Sequence, residues 1–104
     1  MQFLFDSRGV NIANEEMGRL HALSGRNIGH YLNAAGIFID QRGRYLGELV
    51  LGNRLMANPQ SPHRAVQFAV PGDYGSSGNL GRPRPAGDVA PVAGYEDIPA
   101  GRLK

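Results

Sequence analysis

The sequence predicts an all-β fold: three to four antiparallel β-hairpins set radially about a pseudo-four-fold axis, followed by an irregular Pro/Gly-rich tail. Three observations carry that prediction. A unit of glycine, two residues, a branched aliphatic and a small residue occurs three times, at Gly9-Val10-Asn11-Ile12-Ala13, Gly25-Arg26-Asn27-Ile28-Gly29 and Gly43-Arg44-Tyr45-Leu46-Gly47. Turn signals recur every eight to ten residues up to residue 57, the spacing of a small β meander or radial repeat. All seven prolines lie beyond residue 56, so the folding part is expected at 1–70 and the tail at 71–104.

The first hairpin is expected from Phe3-Leu4-Phe5, the turn Asp6-Ser7-Arg8-Gly9 and a return strand from Val10. Asp opens such a turn through its own side chain, and glycine takes the positive φ that other residues resist. A bulge then joins the two strands. Asp40-Gln41-Arg42-Gly43 repeats the chemistry between Ile37–Asp40 and Arg44–Leu49, and Leu23-Ser24-Gly25 is a shorter version. Gly52-Asn53 separates Leu49-Val50-Leu51 from Arg54-Leu55-Met56. A helical reading competes over residues 14–35, with Asn14 as N-cap, Glu15 and Glu16 in the first turn, and Met17, Leu20 and Leu23 on one face. The repeat decides for strand over residues 19–32, because a repeated unit should keep one conformation. Asn58-Pro59-Gln60-Ser61 falls where a fourth repeat glycine is due and is still turn chemistry. Val66, Phe68 and Val70 alternate as in a half-buried strand, so a fourth hairpin is expected from Arg54–Ala57 with Ala65–Val70. From Pro71 onward few large apolar groups remain to offset the ordering of the backbone. That stretch is expected to be irregular or disordered, with Val89–Val92 and Tyr95–Pro99 able to dock.

Composition excludes several classes. There is no cysteine, hence no disulfide and no thiolate metal site. No apolar run approaches the roughly 18 residues of a membrane span, and the N-terminus lacks the basic region of a signal peptide. A cytoplasmic location is expected. A folding unit of this size is marginal alone and needs a staple, a partner or a very regular core. Net charge is +2, split evenly between the halves, so neither half is a basic arm.

The three units, with their strand-opening pairs Leu4-Phe5, Leu20-His21 and Phe38-Ile39, resemble the four-fold β flower domain, a small bacterial module of four hairpins around a pseudo-four-fold axis. The resemblance covers residues 3–57. It departs at the residue after the small one, often aromatic in that family and here Asn14, His30 and Glu48. It implies the fold and no catalytic activity. Independently of the name, a symmetric fold would gather Ile12, Ile28 and Leu46 in one core. Ala13, Gly29 and Gly47 would leave backbone bare for close approach.

No catalytic set and no cofactor is expected. The sharpest metal idea joins His30 and Glu48, which occupy equivalent repeat positions, with Asn14 as a third member, against the bland reading of solvent-facing polar residues; a metal needs three or four convergent ligands. Asp6 and Asp40 read as turn residues rather than paired acids. Arg82-Pro83-Arg84-Pro85 reads as linker or as a polyproline II ligand tract. Arg26, Arg44 and Tyr45 follow the repeat glycines and would cluster at one rim. The function expected is therefore a non-catalytic binding or structural module for a protein partner, itself or another. The alternative is a nucleic-acid or anion-binding domain using the arginines beside the turns. Arg26, Arg44, Tyr45, Arg82 and Arg84 are the expected contact residues.

Overall fold

Each repeat unit folds as a β-hairpin whose turn its glycine closes. The structure, a computed structural model, describes residues 1–78 and 81–104; the tail reading at residues 79 and 80 lies outside the described residues. The hairpins are β1 (Gln2–Phe5) with β2 (Asn11–Glu16), β3 (Arg19–His21) with β4 (Asn27–Leu32), and β5 (Ile37–Asp40) with β6 (Tyr45–Val50); β7 (Arg54–Ala57) follows. Residues 19–32 thus form a β-hairpin, with its turn at 22–26, and the helical alternative is set aside. Neighbouring strands pair in chain order, and β7 returns to β1 to close a small seven-stranded barrel. An odd number of strands in an up-and-down meander leaves the first and last parallel, and Phe5 pairs with Arg54 in that sense. The molecule measures 34 × 34 × 23 Å, and its two equal long axes suit a radial arrangement. Among the described residues no helix is long and apolar enough to cross a membrane.

The register explains why the aliphatic and the small residue of each unit stand together. Leu4 faces Ala13, but Phe5 faces Asn11, so Ile12 is the extra residue of a bulge. Ile28 and Leu46 are the extra residues of the second and third hairpins. A bulge breaks the strict alternation of a strand and re-aims a side chain. Here it turns two successive residues toward one core. Leu4, Leu20 and Phe38 sit opposite Ala13, Gly29 and Gly47, large against small in every hairpin. Leu4, Leu20, Phe38, Leu46 and Leu55 are wholly buried in the main core, with Ile28 nearly so and Ile12 packed at its edge. Each such side chain contributes about 1.5–3 kcal/mol by burial. The bare backbone is used as expected: a Cβ on Gly29 would lie 2.1 Å from Ile39 O, and one on Gly47 2.5 Å from Met56 O.

A fourth turn completes the series. Ser61 N donates to Asn58 O at 3.0 Å, as Gly43 N does to Asp40 O. Asn58 Oδ1 accepts from Gln60 N at 2.9 Å, as Asp40 Oδ1 does from Arg42 N. The expected return strand at Ala65–Val70 does not form. The partner of β7 is β8 (Glu96–Asp97), with Met56 facing Asp97 and Ala57 facing Glu96. Pro62 opens a short 3-10 helix, Pro62–Ala65, capped by the Ser61 side chain, and this steers the chain away from β7. The alternation of Phe68 and Val70 is real but serves another contact: both cover Ile37, Ile39 and Tyr45 on the outer face of β5 and β6.

The described residues between 66 and 95 cross the glycine turns as a strap with little regular structure. Phe68 N donates to Gly43 O, Ser77 N to Gly25 O and Ala86 N to Gly9 O, at 2.8–2.9 Å. The three donors are nine residues apart, a regular pitch matched to regularly placed turns. Beyond β8, Ile98 and Leu103 enter the main core. The staple that a small core needs is therefore supplied by the far end of the chain itself.

Candidate binding cleft

The end of the barrel that carries the glycine turns also carries an apolar hollow. A cleft of about 550 Å³ opens between the first two hairpin turns and the last residues of the chain. Its turns are closed by hydrogen bonds. Asp6 Oδ1 accepts from Arg8 N at 2.9 Å and from Val10 N at 3.0 Å, which fixes where Arg8 and Val10 stand. Gly25 N donates to Ala22 O at 2.9 Å and closes the second turn with Leu23 at its tip. Val10 and Leu23 are consequently 47% and 56% exposed, and they edge the cleft. Ile12 and Ala22 line its floor, with Ile98 and Leu103 opposite.

The charges at the rim are unequally engaged. Burial raises the Asp6 carboxyl, but the Arg8 side chain and the Val10 and Arg8 amides outweigh it and hold that carboxyl below its ordinary value. Arg8 pairs with it at 2.8 Å. Asp97 is taken up by the first turn, accepting from Ser7 N at 2.8 Å and Ser7 Oγ at 2.6 Å. Arg26 also lines the cleft and is exposed, and among the described residues its guanidinium enters no ion pair. A second hollow of about 590 Å³ lies on the other side of Val10 and Leu23, bounded by Gly81, Arg82 and Pro83. Val10 and Leu23 thus form an apolar ridge between two hollows, with Arg26 on one side and Arg82 on the other. Among the described residues the lining of the two hollows includes neither histidine nor cysteine. Such a surface can hold an apolar group and pair with an anion beside it.

The residues expected from sequence are dispersed in an informative way. Arg26 and Arg82 flank the ridge, and Arg84 is exposed on the same strap. Arg44 is exposed on the third turn, away from both hollows. Tyr45 is no rim residue: it is buried, donates to Glu48 Oε2 at 2.6 Å and accepts from Asn58 N at 2.9 Å. Burial and the Glu48 carboxylate push its phenol far above the usual range. His30 and Glu48 are each engaged elsewhere. His30 Nε2 donates to Gly72 O at 2.6 Å and its ring meets Tyr74 edge-on. Glu48 also accepts from Tyr95 at 3.3 Å. Asn14 accepts from Asn11 at 3.0 Å. Among the described residues no three His, Cys, Asp or Glu side chains are grouped as metal ligands.

Sequence reasoning missed Val10, Leu23 and Leu103 as cleft residues, and reached Ile98 only as part of the stretch Tyr95–Pro99 able to dock. For the first two a signal existed, since a large apolar residue beside or within a tight turn has no way to reach the core. Leu103 is an isolated apolar in a polar stretch and gave none, whereas Ile98 lies in the stretch Tyr95–Pro99 that was expected to dock and enters the main core. Comparison with protein-family models, with curated proteins and with solved structures finds no match, so what the cleft does is argued from its own geometry.

Proposed function

We propose that this chain is a non-catalytic binding module of the four-fold β flower type, acting in the cytoplasm. Its ligand on this reading is an extended protein segment that lays an apolar side chain into the cleft and a carboxylate against Arg26 or Arg82. The observation that carries the reading is the Val10–Leu23 ridge, exposed between two hollows of about 550 and 590 Å³. Those volumes fall in the range of ligand pockets, and the first hollow has the apolar walls with a few placed polar groups that are their usual make-up, while the second is more polar. Engaged acids and an unpaired arginine favour an anionic partner.

Selection of short peptides from a random library against the full chain tests this. Enriched peptides should pair a large apolar residue with Asp or Glu. Leu23→Asp should abolish their binding and Arg26→Glu should weaken it. No enrichment, or binding indifferent to Leu23→Asp, would refute the proposal. The arginines also favour a second reading, an anion or nucleic-acid site. A random oligonucleotide bound through phosphate loses affinity linearly in log salt concentration, whereas an apolar peptide contact changes little.

A further inference from the structure

Two asparagines hold equivalent places, each two residues after a repeat glycine, and the fold completes only one of them. Asn27 Nδ2 donates to Leu20 O at 3.0 Å and Gly29 O at 2.9 Å. Asn11 Nδ2 repeats this with Leu4 O at 2.9 Å and Ala13 O at 3.1 Å, and adds Asn14 Oδ1 at 3.0 Å. In both, the donor side of the amide is engaged by its own hairpin, which fixes Oδ1 as an outward acceptor with two lone pairs. Asn27 Oδ1 uses both. It accepts from Gln41 Nε2 of the next turn at 2.8 Å and from Tyr74 N of the strap at 3.0 Å. Among the described residues nothing donates to Asn11 Oδ1.

The sequence supplies the reason for the difference. Gln41 stands two residues before Gly43, and the residue two before Gly25 is Leu23, whose side chain has no donor. Tyr74 stands three residues before Ser77, which seats on Gly25 O. Three residues before Ala86, which seats on Gly9 O, is Pro83, and proline has no N–H. Both donors of the Asn27 site are thus replaced, at the Asn11 site, by residues unable to donate. Asn11, Leu23 and Pro83 line one hollow, that of about 590 Å³. Where the strap lies on Asn27, a hollow stands at Asn11. The fold itself shows what fits such a place: the main-chain N–H of a segment with little regular structure. Leu23, in place of a glutamine, adds an apolar surface beside it.

We propose that Asn11 is a ligand-binding residue whose Oδ1 accepts a main-chain N–H of the bound segment, as Asn27 Oδ1 accepts that of Tyr74. The inference rests on the peptide reading of the cleft and adds the atom that sets the register of the segment, since main-chain hydrogen bonds anchor extended ligands. A peptide enriched on the full chain is remade with each amide in turn replaced by an ester, which removes one N–H and adds no bulk. At one position the ester should bind the wild type about three- to tenfold more weakly, the size of one net hydrogen bond. Leu23→Gln, at an exposed turn tip, supplies the missing donor within the chain. Against that variant the same ester and its parent amide should bind alike. In the free variant the introduced side-chain amide should show a nuclear Overhauser contact with the Asn11 side chain, a readout that needs no peptide. Peptides that bind but lose nothing at any ester leave the peptide reading standing and overturn this inference. So does an ester penalty kept in Leu23→Gln, or an absent Overhauser contact. If no peptide is enriched, the peptide reading falls and the inference falls with it.

Discussion

Replacing Gly25 by alanine separates two demands that one position carries. Its φ is +92°, and a Cβ there would lie 1.9 Å from Gly78 O of the strap. Gly18 supplies the control: its φ is +80°, and nothing lies within 4 Å of its Cβ position. The left-handed conformation alone costs an L-residue about 1–2 kcal/mol, and Gly18→Ala should cost that. Gly25→Ala must in addition lift the strap. Two backbone hydrogen bonds go with it, Ser77 N to Gly25 O at 2.8 Å and Asn27 N to Gly75 O at 2.6 Å. At about 1 kcal/mol each, the total rises to roughly 3–4 kcal/mol. The extra cost cannot exceed the free energy of releasing the strap locally, since the chain takes the cheaper route. Guanidinium unfolding measures both variants, and amide exchange locates the loss. Protection at Ser77 should vanish in Gly25→Ala while the amides of β5 and β6 keep theirs. Equal costs for the two substitutions, or unchanged protection at Ser77, would refute the strap's role.

Three further outcomes follow from the same contacts. Gly47 has no left-handed φ, but a Cβ there would stand 2.5 Å from Met56 O and 2.9 Å from Ile98 Cδ1. Gly47→Ala should therefore cost about 1–3 kcal/mol by overpacking alone, read by denaturant titration. Asp6 is held below the 3.8 of a free carboxyl, so its contribution is present above that pH and lost as pH falls through the lowered value. Asp6→Asn should thus cost about 1 kcal/mol near neutrality and less near pH 3; a cost independent of pH in unfolding curves would contradict it. Tyr45→Phe removes the group that donates to Glu48 and accepts from Asn58 N. It should lower stability by about 1–2 kcal/mol, visible as a fall in melting temperature.

What the sequence made legible is local. The three turns, the bulges after them and the shared burial of Ile12, Ile28 and Leu46 are each written in five consecutive residues. Pattern reading reaches such units because their hydrogen bonds close within a few positions. The strand that pairs with β7 was not legible. Glu96-Asp97 has no apolar alternation, and its partner Met56 is some forty residues earlier. The strap seats were hidden for another reason: they use main-chain groups of Phe68, Ser77 and Ala86, which any side chain could accompany. At the turn end, Arg26 and Arg82, singled out by charge and placement, line the two hollows. Arg44 was grouped with Arg26 by repeat position, but equivalent positions around a ring belong to different turns. His30 and Glu48 show the same effect, one meeting Gly72 of the strap and the other Tyr95.

The one repeat position without glycine accounts for the others. Gly9, Gly25 and Gly43 each combine a left-handed φ with a strap carbonyl within about 2 Å of where a Cβ would be. Either demand alone disfavours a side chain, and together they leave only glycine. The fourth turn ends at Ser61, whose φ is −62° and ψ 133°. There the chain does not double back as a return strand. It leaves the turn in extended backbone, enters the Pro62–Ala65 helix and becomes the strap itself. Among the described residues no strap amide donates to Ser61 O, and no left-handed angle is required, so serine is admitted and its hydroxyl caps the helix instead. The place of the missing return strand falls to β8, reached only after the strap has crossed the other three turns. Repeat, strap and final strand are on this account one closed circuit: the glycines are the points at which the chain passes over itself, and the serine is the point at which the passage begins.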